Sequence, residues 1–203
     1  MENTDSKNIL LSVIGIAIFL VAVVGITYAI FVFTGEGNQN NTISTGTISM
    51  LYTESSNIIS INDAMPMSDS VGKMQNKYFD FSVSAKIKGK ATINYEVRAR
   101  RTDKDEVNRL PDNQVNIYLE KQDSNKYVQV MEPKTFAITS TTLDNTYVNN
   151  DSMLLYNGII NGDSDASVED KFRLRIWLKE NTEVYSNPMV YKLRVDLYST
   201  LNR

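Results

Sequence analysis

Eight residues, Asp163-Ser164-Asp165-Ala166-Ser167-Val168-Glu169-Asp170, place oxygen-bearing side chains at alternating positions. Asp163, Asp165 and Glu169 are the candidate ligands for Ca²⁺, a hard cation that takes carboxylate and carbonyl oxygens. The glycine and helical framing of an EF-hand loop are missing, and a solvated hairpin turn accounts for the same residues. A second cluster is cationic. Arg98, Arg100 and Arg101, continued by Arg173, Arg175 and Arg194, fall on the outward positions of alternating segments. They could meet wall polyanions, lipid headgroups or an acidic partner, or serve only as solvated charges that keep sheets from associating. Trp177 has the same parity, and beside Arg173 and Arg175 it completes a candidate contact surface.

The chain contains no Cys and no His. Disulfides, thiol nucleophiles, Ser–His dyads and histidine metal sites are therefore excluded, together with the usual near-neutral general base. Carboxylate pairs remain for acid–base work, but nothing in their spacing selects one. A formal net charge of -3 over 203 residues argues against a nucleic-acid partner. The expectation is a non-catalytic protein with no cofactor, no metal beyond the calcium candidate and no small-molecule substrate.

The elements that must position these residues begin with an apolar run. Ile9 to Phe33 is 25 residues without a charged side chain. As a helix at about 1.5 Å per residue it spans about 37 Å, enough for a hydrocarbon core of about 30 Å. Lys7 precedes it and the next cation is Lys73, which places the N-terminus inside and the remainder outside. The segment reads as a retained single-pass anchor. The alternative is a signal peptide cleaved after Ala29, at Thr27-Tyr28-Ala29. Residues 1–8 are then a cytoplasmic N-terminus, 9–33 the transmembrane segment and 34–41 a Gly/Asn-rich linker. Residues 42–203 form one extracytoplasmic domain.

That domain reads with a period of two. Phe79, Phe81, Val83, Ala85 and Ile87 alternate with polar residues, as do Ile93, Tyr95, Val97 and Ala99, and Val115, Ile117 and Leu119. Phe172, Leu174, Ile176 and Leu178 repeat the pattern, and so do Tyr191, Leu193, Val195 and Leu197. Turns separate them at Lys88-Gly89-Lys90, Asp123-Ser124-Asn125, Asn161-Gly162-Asp163 and Asn187-Pro188. Many short antiparallel strands predict an all-β, jelly-roll-like sandwich behind one N-terminal helix.

Three stretches carry a resemblance: the apolar segment ending near Thr27-Tyr28-Ala29, the strand Asn41–Met50, and the turn Ile61–Asp69 leading into Tyr78–Val83. In this order they resemble the TasA/camelysin family of Gram-positive bacteria and the membrane-leading surface proteins related to it. Lys171–Leu178 followed by a last strand near Met189–Leu197 is similar to the C-terminal half of that family. The resemblance implies a jelly-roll subunit of biofilm-matrix fibres assembling by donor-strand addition. Thr42, Ile43, Thr47, Ile48, Met50 and Tyr52 would lie on the donor strand. The chain departs from the family's Pro-Gly-Asp turn, having Ala64-Met65-Pro66-Met67-Ser68-Asp69 instead. Without His and H-E-x-x-H, the metalloprotease label given to camelysin-type members does not carry over. Three functional expectations follow. The first is a membrane-anchored surface protein, structural or adhesive, that meets the membrane and other surface proteins. The second is a secreted fibre subunit that self-associates in the extracellular matrix, and the third a virion or prophage membrane protein.

Overall fold

The computed structural model describes residues 14, 16, 32–36, 41–44, 48–54, 65–144, 147–162 and 166–202. Strands dominate them: β1 (Val32–Glu36), β2 (Asn41–Ser44), β3 (Ile48–Glu54), β4 (Phe79–Ile87) and β5 (Ala91–Arg101). After these come β6 (Val115–Asp123), β7 (Lys126–Lys134), β8 (Ser152–Gly162), β9 (Ala166–Leu178) and β10 (Leu193–Asn202). One short helix, α1 (Asp69–Gly72), precedes β4. Ile14 and Ile16 are helical, and no helix among the described residues is long and apolar enough to cross a membrane. The rest of the apolar run lies outside the described residues up to Val32. There Val32 and Phe33 open β1 and Thr34–Glu36 complete it, so strand stands where the linker was expected to begin.

All strand pairs are antiparallel. One sheet has the order β1-β10-β5-β8 and the other β2-β3-β4-β9-β6-β7. Successive strands mostly change sheets. The β4–β5 connection passes through Gly89 at φ 85°, a left-handed conformation that glycine adopts without a steric penalty. The β8–β9 connection lies at the same end, because Ile87 pairs with Ala166 and Ala91 with Gly162.

Alternation builds the core. Phe81, Val83, Ala85 and Ile87 of β4 join Ile93, Tyr95, Val97 and Ala99 of β5 in one buried cluster. Met50 and Tyr52, Ile117 and Leu119, Met153 and Leu155, Phe172 and Leu174, and Val195 and Leu197 complete it from both sheets. Phe172 touches residues of both sheets, stacked on Phe81 at 5.2 Å and tilted against Tyr156 at 5.0 Å. Tyr191, expected in the last strand, instead precedes β10. It packs with Leu110, Val115 and Leu178, with the Arg101 guanidinium 3.7 Å from its ring centroid. The Arg109–Val190 bridge holds that segment beside a different loop and so prevents β10 from starting earlier.

Candidate functional site: the covered outer faces of the sheets

Charged residues on the outward positions of β5 and β9 are the obvious surface for a partner, but the chain covers both faces with its own loops. On the four-stranded sheet, Glu96 and Arg98 of β5 are fully buried. Arg98 Nη1 donates to Glu96 Oε2 at 2.7 Å, its Nε donates to Ser152 Oγ at 2.8 Å, and its Nη2 bonds the Thr139 carbonyl. Glu96 accepts from Thr141 Oγ1 at 2.9 Å and from the Thr142 amide and hydroxyl at 2.8 Å each. The strap carrying these threonines belongs to the connection from β7 to β8. Its Leu143 and Val148 form a small apolar cluster with Tyr198 on the outside of the sheet. Burial pushes the Glu96 carboxyl up, but the Thr142, Arg98 and Thr141 bonds outweigh it and hold the group below the ordinary glutamate range.

On the six-stranded sheet the cover is the segment 65–77. Asp69 of α1 accepts from Asn116 Nδ2 at 2.7 Å and from Trp177 Nε1 at 3.3 Å. Gly72 lies directly on the indole; a Cβ built there would run into Trp177 Cδ2 and Cε2. Arg175 donates from Nε to the Gln75 carbonyl at 3.0 Å and bonds Glu120 through Nη1. Burial and the neighbouring Glu120 carboxylate push the Tyr118 hydroxyl up to about 12. A cavity of about 380 Å³ opens beside Asp69, lined by Met67, Ser68, Asn116, Lys179, Glu180 and Asn181. Gly72→Ala is expected to cost about 1–3 kcal/mol, the range for forcing an extra methyl into a filled site. As Trp177 is the sole tryptophan, lifting of the helix would shift its emission to the red. An unchanged spectrum with unchanged stability would show the contact to be slack.

The expected contact surface therefore needs correction. Arg98 is 0% exposed and Trp177 2%, so neither faces solvent. Both lie under the covering segments, Arg98 against Thr139 and Trp177 against Gly72, and these segments bury them. Arg175 is also buried. Arg173 keeps partial exposure but is held by two bonds to Asp80, at 2.8 and 2.9 Å. Its guanidinium lies between the rings of Tyr78 and Tyr127, at 3.7 and 4.0 Å. Arg100 leans on Asp196 at 3.6 Å. The arginines do not make one continuous exposed face.

Of the calcium candidates, Asp163 and Asp165 lie outside the described residues. Glu169 is exposed on β9 with Lys171 at 3.4 Å. Among the described residues, no group of three or more acidic side chains could hold a metal ion. Of the donor-strand candidates, Thr42 and Ile43 lie on β2 and Ile48, Met50 and Tyr52 on β3, while Thr47 and the cleavage candidate Ala29 are outside the described residues. Met50 and Tyr52 are buried in this same chain, opposite Ala85 and Val83 of β4.

Residue periodicity did not single out Glu96, Asp69, Gly72, Tyr78 or Tyr127. The signal available for Glu96 was a carboxylate two residues from Arg98, the spacing that puts both on one face of a strand. Comparison with protein-family models finds no match for this chain, and comparison with curated proteins finds none either.

Proposed function

We propose that the chain is a membrane-anchored, extracytoplasmic surface protein with a structural or adhesive, non-catalytic role. Its ten described strands are read as a jelly-roll sandwich. The observation that carries this reading is the junction at Val32, where the 25-residue apolar run passes into the first strand of the domain without a spacer. An anchor continuous with β1 holds the body close to its membrane. The charged groups support the non-catalytic part: Glu96, Arg98, Asp69, Asp80, Arg173 and Arg175 all serve contacts that fasten loops or strands. Charges held in place this way stabilise a scaffold and are poorly placed to exchange protons with a substrate.

The secreted fibre subunit is the second reading, favoured by β2 and β3. Together they form one margin of the six-stranded sheet, and alternate residues Met50 and Tyr52 enter the core. A strand so placed can be exchanged for a neighbour's, because main-chain bonds give affinity and alternate side chains give register. The test is intact mass and N-terminal sequencing of protein from its native cells, with fractionation. A chain keeping residues 9–33 in the membrane fraction is the expected result. A chain beginning near Ile30 in a sedimenting, cell-free fraction would overturn anchoring in favour of the fibre.

A further inference from the structure

The two ends of the domain differ in charge, and the difference is aligned with the point where the N-terminal segment enters. Val32 pairs with Thr200, and Thr200 pairs with Asn94 of β5. Lys90 lies four residues before Asn94, so the β4–β5 arch projects about 13 Å past the start of β1 at roughly 3.3 Å per residue. It projects in the direction from which the chain arrives. Four extended residues before Val32 would reach the same level, which is still within the apolar run ending at Phe33.

The arch carries Lys86, Lys88 and Lys90, all exposed. Lys73, Lys104, Lys121, Lys171 and Lys192 each face a carboxylate; among the described residues no ion pair engages the three arch lysines. Asp163 and Asp165, which lie between β8 and β9 in the sequence, offset part of this charge. The loop at the opposite end is acidic in composition, although its Asp103 and Asp112 pair with Arg101 and its Glu106 with Lys192. The loop after Arg101, residues 102–114, holds Asp103, Asp105, Glu106 and Asp112 against Lys104 and Arg109, four acids to two bases.

We propose that the arch end is a membrane-facing surface, with Lys86, Lys88 and Lys90 resting on the phosphates of anionic lipid headgroups. The proposal rests on the anchored reading above. The apolar run brings the arch to the headgroup level, and the lysines then hold the domain upright with its acidic loop away from the bilayer. Ammonium groups on flexible stems suit this task, because they reach scattered phosphates without a fixed geometry.

The test uses the full chain reconstituted into vesicles of equal parts phosphatidylglycerol and phosphatidylcholine. Since the protein has no cysteine, Lys88→Cys gives a single nitroxide site, and Val107→Cys, at a residue 97% exposed on the acidic loop, gives the control. Relaxation by nickel chelated to lipid headgroups reads proximity. The label at 88 is expected to relax strongly and the label at 107 not at all. Adding Lys86→Gln and Lys90→Gln should reduce the contacting-to-free ratio at 88 roughly 25-fold, at about fivefold per lysine. Phosphatidylcholine alone should lower it similarly. Vesicles that float with the chain while position 88 is no closer than 107 would overturn the proposal and leave anchoring intact. Contact at 88 that ignores charge would overturn the role of the lysines. A chain that does not float with the vesicles would overturn both readings.

Discussion

Arg98→Met is expected to destabilise the domain by about 3–5 kcal/mol, because it leaves the Glu96 carboxylate buried without its cation. For a chain of this size that is a fall in melting temperature on the order of 10 °C. Arg98 supplies five hydrogen bonds, to Ser152, Glu96 and Thr139, so the strap from β7 to β8 should loosen as well. Denaturant unfolding followed by far-ultraviolet circular dichroism measures the first effect, and amide exchange at Thr142 and Leu154 the second. Glu96→Gln tests the carboxylate separately and adds a pH dependence. The folded-state pKa of Glu96 lies below its ordinary value of 4.5. Its stabilisation is therefore complete above about pH 4.5 and is lost as the pH falls through the lower, folded value. The wild type should lose stability across that acid window more steeply than Glu96→Gln. Parallel pH profiles would show that the carboxylate contributes nothing through its charge.

Trp177→Ala should cost about 3–5 kcal/mol, the range for removing a large buried aromatic. Trp177 is only 2% exposed. It fills the space between the sheet and α1, donates to Asp69 and meets the Tyr118 ring edge-on at 6.1 Å. Its loss removes the floor on which Gly72 rests and leaves a void that a four-residue helix cannot close. The segment 65–77 should become protease-sensitive at Lys73 and Lys77 while the sheets persist. Chemical denaturation gives the energy and limited trypsin digestion the location. A change below about 0.5 kcal/mol, the scale of ordinary surface substitutions, would mean that the segment is held by Arg175 and Asn116 instead.

The sheets were largely legible because β4 buries one face and alternates, as in Phe81, Val83, Ala85 and Ile87, and because the core residues of β5 (Ile93, Tyr95, Val97, Ala99) also keep to every second position. β8 was hidden by a bulge. The register shifts where Val97 pairs with Tyr156 but Arg98 with Leu154. The buried residues therefore change from odd (Met153, Leu155) to even (Gly158, Ile160, Gly162) within one strand, and a period of two cannot show. Gly158, just beyond the shift, lies on the new parity, and its missing side chain admits the Tyr95 ring. β1 was hidden because its residues read as the end of an apolar run followed by a polar linker. The covered faces were the least legible part. Parity along a strand tells which side a residue faces, as it did for Arg98 and Trp177, but not what lies over it. The covers are irregular segments whose fit depends on contacts distant in sequence: Thr142 with Glu96, Gly72 with Trp177.

The pairing of β1 with β10 has a mechanical meaning. Val32 opposes Thr200 and Glu36 opposes Asp196, so the N-terminal strand enters, and the last strand leaves, at the same end of the sheet. Were the chain held through the residues before β1, as proposed above, a load on the far loops would pull β1 lengthwise along β10. The five paired positions then resist together, in shear. A load applied at the C-terminus would open the same ladder from one end, one rung at a time. The topology is thus strong towards objects held at the distal tip and weak towards anything that tugs on the final residues.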